Sequence, residues 1–478
     1  MNHAIGRRGF LKGIAALGAA GAAGVNIFAT GCSAPAATAT SALPGRGEFI
    51  IRGGYLMTMD PRLGDIAGGD LHVRNGEILA VGKDLQAAGI AVLSGRGMIV
   101  LPGMVDTHWH MWNTMLRSFG GEKPADGYFP RTAAYGKAMT PDDMYRSARL
   151  ATADAIYSGI TTVHDYCHNV QSREHAEADI RALRESGLRG RWSYGWPQGQ
   201  PDNKMVDLPV LQGLHANWGK LSDEGLFSLG FAWRGMVRPS GLLPPEVYRT
   251  EFQAARDLKL PISVHVGSAE SAKGQIAALG KEGLLGPDVQ LIHGLSATPE
   301  ELKLAKDAGS VMSVSPKTEM RIGYGLPHLA DLLDAGITTG ISVDTLVLAG
   351  NADFFSILNT ARSLEKGRSH DEFKLSARQM LELGTSEGAR SLGLDNLTGS
   401  LQPGKRADVI MVATDRVTLG VFTDPAQLIV EAAEPADVDT VIADGRILKR
   451  GGVLTSLSAS DVTSAVSSAL ASLEKRAG

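Results

Sequence analysis

From Glu48 to Val100 short runs of β-branched and aliphatic residues (Phe49-Ile50-Ile51, Leu71-His72-Val73, Ile78-Leu79-Ala80-Val81) are separated by turn residues such as Asn75-Gly76. This pattern predicts a meander of antiparallel strands. The same texture returns in Ala407-Asp408-Val409-Ile410-Met411-Val412 and Val441-Ile442-Ala443-Asp444-Gly445-Arg446, so both chain ends are expected to build one β subdomain. Between them, apolar strands alternate with helical stretches, the texture of a parallel sheet. Strands are predicted from Ile99 to Val105, Thr161 to Asp165, Arg191 to Gly195, Phe227 to Trp233, Ile262 to Val266, Val289 to His293, Val311 to Val314 and Thr338 to Val343. Helices fall between them, as from Asp142 to Tyr157, Ala176 to Glu185, Glu246 to Leu258 and Pro299 to Ala308. Strand–helix units in such a row favour a closed (β/α)8 barrel, with its chemistry at the carboxyl ends of the strands. The expected fold class is α/β: a (β/α)8 TIM barrel over residues 101–396, a composite β-sandwich from 48–100 and 397–455, and a C-terminal helix in 456–478.

The first residues have a different texture. Arg7-Arg8-Gly9-Phe10-Leu11-Lys12 precedes an uncharged, Ala- and Gly-rich run from Gly13 to Phe28, the layout of a secretory signal. The paired arginines resemble a bacterial twin-arginine export signal, with Gly6 where Ser or Thr is usual. The apolar run is shorter than the roughly 20 residues a bilayer core requires, so no transmembrane span is expected. Residues 1–32 read as a signal for export to the periplasm. Ala29-Thr30-Gly31-Cys32 also resembles a lipoprotein cleavage box; if used, Cys32 carries a lipid anchor, and otherwise it leaves with the signal. Residues 33–47, mostly Ala, Thr, Ser and Pro, read as a flexible tether.

Composition narrows the chemistry. With 44% hydrophobic and 21% charged residues, a disordered or coiled-coil chain is excluded. Lys+Arg 47 against Asp+Glu 51 leaves a net charge of -4, without the basic excess that nucleic acid binding needs. The 2 cysteines, Cys32 and Cys167, exclude a disulfide framework and a thiolate zinc cage. Any metal must therefore be held by imidazoles and carboxylates. Cys167 reads as a small buried hydrophobe.

The 12 histidines include several at predicted strand ends. His108 and His110 close the first strand, and alternate residues of an extended segment share a face. His265 ends the fifth, His293 the sixth and Asp344 the eighth. In a barrel these positions converge on one mouth, where a costly cluster of buried polar groups calls for a cation. Imidazoles and a carboxylate suit one divalent ion, Zn²⁺ first and Fe²⁺ second, with a position open for water. Taken singly, each of these residues is equally well a solvated or hydrogen-bonded strand end.

Other patterns carry less. Gly384-Thr385-Ser386-Glu387-Gly388 matches a nucleophile elbow, but the preceding Ala377 to Leu383 reads as helix, not strand. His370-Asp371-Glu372 lacks the paired cysteines of a cytidine-type deaminase site. Trp109, Trp112, Trp196 and Trp233 lie at or just after strand ends, where they can hold a planar substrate or pack as core; His168 joins them as a substrate-binding candidate. A helix from Asp461 to Lys475 is expected to pack on the barrel or on a second subunit of a homo-oligomer.

Leu101-Pro102-Gly103-Met104-Val105-Asp106-Thr107-His108-Trp109-His110, His265, His293 and Val343-Asp344 together resemble the amidohydrolase superfamily, in its cytosine-deaminase and aminohydrolase/chlorohydrolase-like branch. Gly399-Ser400-Leu401-Gln402-Pro403-Gly404-Lys405-Arg406-Ala407-Asp408 and Asp444-Gly445-Arg446 extend the likeness, which runs from about Glu48 to Arg450. The resemblance implies that His108, His110, His265 and Asp344 are metal ligands and that Asp344 also takes a proton from water. It makes His293 either a further ligand or a hydrogen-bond donor to substrate or hydroxide. The fourth strand has no lysine to bridge two ions, so one metal is implied. That branch commonly has Glu three residues after the fifth-strand histidine; here Ser268 stands there. Glu319 is the preferred replacement, with Glu270, His164 and His168 as alternatives. The expected activity is hydrolysis of a non-peptide C–N bond in a small molecule. A metal-containing binding lipoprotein, or hydrolysis of an ester, carbamate or C–halogen bond, are the other readings.

Overall fold

The computed structural model describes residues 43–478, apart from 87, 223, 239 and 240. The twin-arginine segment, Cys32 and most of the 33–47 tether lie outside the described residues. Eight parallel strands form the barrel wall in chain order: Met104–Trp109, Ile160–Cys167, Arg189–Tyr194, Phe227–Trp233, Ile262–Val266, Val289–His293, Val311–Val314 and Thr339–Ile341. Four of the predicted strands, from Phe227 to Val314, recur with unchanged ends. They are mostly apolar and, Ser228 apart, little exposed on either face, so their limits are sharp in the sequence.

The first predicted strand is corrected. It breaks at Gly103, whose N–H donates to Asp408 O at 3.0 Å. Met98–Pro102 before the break belongs to the sheet of the chain ends, and Met104–Trp109 after it opens the barrel. A Cβ at Gly103 would stand 2.1 Å from Thr161 Oγ1, so no other residue lets the chain cross so close to the second barrel strand. The barrel closes through backbone bonds near the mouth: Asp344 N donates to His108 O at 2.9 Å, and His110 N to Asp344 O at 2.6 Å.

The second sheet has nine strands and interleaves both chain ends. Val409–Ala413 runs antiparallel to Met98–Pro102, which lies parallel to Glu48–Met57. One face buries Ile51, Leu71, Val100, Val409 and Ile442 as a separate apolar cluster. At the foot of the barrel Arg189 Nε donates to Asp408 and its Nη2 to Asp444, each at 2.8 Å, and Arg406 Nε donates to Asp444 at 2.6 Å. These bonds tie the third barrel strand to the returning chain end.

Helix Pro141–Tyr157 starts with a capping box, Thr140 with Asp143. The C-terminal helix Ala459–Ala477 packs over it, and Arg476 donates to Asp143 and to Ala138 O. Ser386 begins helix Ser386–Ser391 directly after helix Ala377–Leu383, so the strand that a nucleophile elbow requires is missing there. No helix among the described residues is long and apolar enough to cross a membrane.

Candidate metal centre

The first barrel strand delivers its side chains with a period of two. His108 and His110 point into the mouth, and Trp109 between them points into the wall. Asp106 braces this strand end: its carboxylate accepts the N–H of His108 at 3.1 Å and of Val343 at 2.8 Å. His110 Nδ1 donates to Tyr166 O at 3.1 Å, which leaves the lone pair on Nε2 facing the centre.

Four side chains from two strand ends and one loop meet here. His108 Nε2 and His110 Nε2 each lie 3.3 Å from Asp344 Oδ1, and His265 Nε2 lies 3.3 Å from His108 Nε2. Burial, with the neighbouring imidazoles, pulls His108 and His265 well below the usual histidine range, so both present neutral nitrogen lone pairs. Burial pushes Asp344 up, against the pull of His110 and His293. A tetrahedral ion with bonds of about 2.0–2.1 Å separates its ligand atoms by about 3.3–3.4 Å, which the spacings here match. Converging lone pairs with no hydrogen to share fit one borderline divalent cation.

His293 stands beside this set, with Nδ1 donating to Glu319 Oε1 at 3.0 Å. Glu319 also accepts the N–H of Ser315 at 2.8 Å and is fully buried. Burial works against charge on His293, but the Glu319 and Asp344 carboxylates outweigh it and hold the imidazole above its ordinary value. His293 and Asp344 both adopt left-handed backbone conformations, φ 78° and 65°, a strain that recurs at functional strand ends.

A cavity of about 650 Å³ opens over the centre. His110, His265, His293 and Asp344 form its floor, and Tyr128, His168, Trp196, Arg238, Ser268 and Tyr324 are in its walls. Of the candidate substrate residues, His168 and Trp196 are thus in place. Trp109, Trp112 and Trp233 are not: all three are fully buried core residues outside the lining. Trp112 sits one layer back and donates Nε1–H to His168 Nδ1 at 3.3 Å.

The candidates for the missing acid separate as clearly. Glu319 lies behind His293 and does not line the cavity. Glu270 is exposed and paired with Lys273. His164 is locked inside the barrel between Thr107 O and Ser193 Oγ, both at 2.9 Å. Tyr128, Arg238 and Tyr324 were not singled out by the sequence. The one local signal for Tyr324 is an aromatic flanked by Gly323 and Gly325 in the loop after the seventh strand. Arg238 lies over the Trp196 ring, 5.4 Å from its centroid. A second group, Asp165, Cys167 and Asp179, is buried between strand Ile160–Cys167 and helix Arg173–Arg184 and does not reach the cavity.

Known proteins share this architecture. The 5'-deoxyadenosine deaminase of Methanosarcina mazei is 27% identical over 425 residues, covering 84% of this chain and 92% of that protein. The 5-methylthioadenosine/S-adenosylhomocysteine deaminase of Moorella thermoacetica is 28% identical, over 78% of this chain and 86% of its own. Among solved structures, an adenosine deaminase from Xanthomonas campestris with bound zinc superposes with a TM-score of 0.77 at 20% identity, over 90% of this chain and 100% of that one. Atrazine chlorohydrolase from Arthrobacter aurescens, complexed with zinc, does so with 0.78 at 23% identity, over 88% and 99%. The family model described as Amidohydrolase family matches residues 99–448, which span the barrel and the returning strands of the second sheet. This chain belongs to the amidohydrolase family, and it is a metal-dependent hydrolase.

Proposed function

We propose that this protein is an exported hydrolase using a single divalent ion to cleave a non-peptide C–N bond in a small, ring-shaped amine, amide or amidine. The observation that carries the reading is the set of 3.3 Å spacings among His108, His110, His265 and Asp344 at the base of a cavity that His110, His265 and Asp344 line. The deaminase names of the relatives support the bond class, and the size of the cavity suits a substrate of a few rings. The twin-arginine pattern supports export.

His108, His110, His265 and Asp344 would hold a divalent cation, which when bound would lower the pKa of a water toward neutrality. The chain's own residues then divide the work. Asp344 has Oδ1 turned to His108 and His110, so Oδ2 is left to receive the proton of the attacking water. His293 is oriented by Glu319 through Nδ1, which leaves Nε2–H to hydrogen-bond the substrate atom on which negative charge develops. Trp196 and His168 offer a planar wall for the ring.

The test is hydrolysis of a panel of ring amines and cyclic amides by protein carrying about one ion per chain. Ammonia or amine release that disappears on chelation and returns with Zn²⁺ is expected. Ion-free protein that remains fully active sinks the proposal.

A further inference from the structure

A C–N hydrolase must protonate its leaving nitrogen, and the group that does so has to face the same cavity as Asp344. Few side chains there have a transferable proton to spare. The hydroxyls of Thr132 and Thr318 are spent on Tyr128 O and Val343 O. Tyr128 accepts from Asn113 Nδ2 and keeps its own proton, but burial pushes its phenol up further than that of Tyr324, so it is the weaker acid. His168 is kept neutral by burial, and neutral imidazole is a poor acid. Glu319 is walled off behind His293.

Tyr324 differs from all of these. Its ring meets His293 edge to face, with centroids 5.6 Å apart, and it lines the cavity. Ser268 lies against its oxygen, and Asp344 is near enough to act on it electrostatically. The backbone fixes its place: Tyr324 N donates to Glu319 O at 2.9 Å, so one loop sets both the His293 partner and this phenol. Partial burial and the nearby Asp344 push the phenol up to about 12, which keeps it protonated at neutral pH.

We infer that Tyr324 is the proton donor to the leaving nitrogen, with Ser268 as its hydrogen-bond partner. This rests on the C–N reading above. For an amide the steps balance. Water adds its hydroxyl to the carbonyl carbon while Asp344 takes the proton, and the C=O electron pair moves onto oxygen, held by His293. The C=O bond then re-forms, the C–N bond breaks with its electron pair staying on nitrogen, and the Tyr324 proton passes to that nitrogen. The phenolate recovers the proton stored on Asp344, which restores both groups.

The experiment compares wild type, Tyr324→Phe and Ser268→Ala on anilides whose leaving amines span a wide basicity range, with metal content and melting temperature measured alongside. Tyr324→Phe should keep its ion and its fold. It should lose about 10²–10⁴-fold in kcat with the most basic leaving amine, the range typical of a missing general acid. With an activated, weakly basic leaving amine the loss should shrink to a few-fold. Ser268→Ala should show the same trend at smaller size. A uniform loss across the series, or less than a tenfold loss with the poorest leaving group, overturns the inference. Wild type that hydrolyses neither these anilides nor the ring amines and cyclic amides refutes the C–N reading. The Tyr324 contact is then decided by calorimetric binding of the same amides, where loss of one hydrogen bond should weaken affinity by about two- to tenfold and unchanged affinity overturns it.

Discussion

At the foot of the barrel, Arg189 is buried against Asp408 and Asp444, Asp444 also takes Arg46 and Arg406, and every charge meets its opposite within the chain. At the mouth, His108, His110 and Asp344 are equally buried and His265 partly so, yet three neutral imidazoles face one carboxylate with no proton donor among their converging atoms. The foot is self-sufficient and holds two sheets together. The mouth is completed only by something from outside. Barrels of this kind put stability at the amino ends of the strands and chemistry at the carboxyl ends, and here the contrast is visible in how each end treats buried charge.

The contrast can be broken from either side. His265→Ala should abolish stoichiometric metal binding and cut turnover by at least about a thousandfold, the several kcal/mol that a bound ion contributes; metal analysis after dialysis and steady-state rates check both. The melting point should fall far less than the activity. Arg189→Met should do the reverse. It leaves Asp408 buried without its arginine, takes one of three arginines from Asp444, and should cost about 3–5 kcal/mol in chemical denaturation, with turnover per folded molecule unchanged. If Arg189→Met changed turnover as strongly as stability, the division between the two ends would fail.

Two smaller effects sharpen it. Glu319→Gln keeps the size of the side chain but weakens its hold on His293, and should lower kcat by about 10–100-fold with the ion retained, as for other partners that orient a site histidine. Lys449, buried near the foot, donates to Tyr157 O at 2.7 Å and Pro435 O at 2.9 Å. Burial pulls its pKa from 10.5 down to about 8. Between pH 8 and 10.5 the unfolded chain therefore binds the proton that the folded chain lacks, so stability should rise slightly with pH across that window. Denaturation midpoints at pH 7.5, 9 and 10 should show the rise in wild type and not in Lys449→Met.

The barrel was legible because its signals are local. Short, mostly apolar runs such as Val289–His293 mark strands buried on both faces, and His108 and His110 announce a shared face by alternation alone. The break at Gly103 was not legible, since Met98 to Val105 is an unbroken stretch without a polar side chain. Its division depends on where the returning strand Val409–Ala413 pairs. Trp109, Trp112 and Trp233, unlike Trp196, fall outside the cavity for a related reason. Proximity to a strand end does not say which side of the wall a side chain takes, and Trp109 takes the side opposite its neighbouring histidines.

The chain by itself determined a (β/α)8 barrel, the identity of the four residues that meet at its mouth, and the absence of the expected glutamate at Ser268. The barrel follows from periodicity and from residue types at strand ends, whereas the choice of those four residues and the missing glutamate are what the resemblance to the amidohydrolase superfamily implies. Only the tertiary structure decided that Glu319 stands behind His293, that Tyr324 faces the cavity beside Ser268, and that the closing bonds pass through Asp344. These depend on how loops from separate strands fold over one another, and such distances between residues remote in sequence are set by packing of the whole molecule, not by any local pattern.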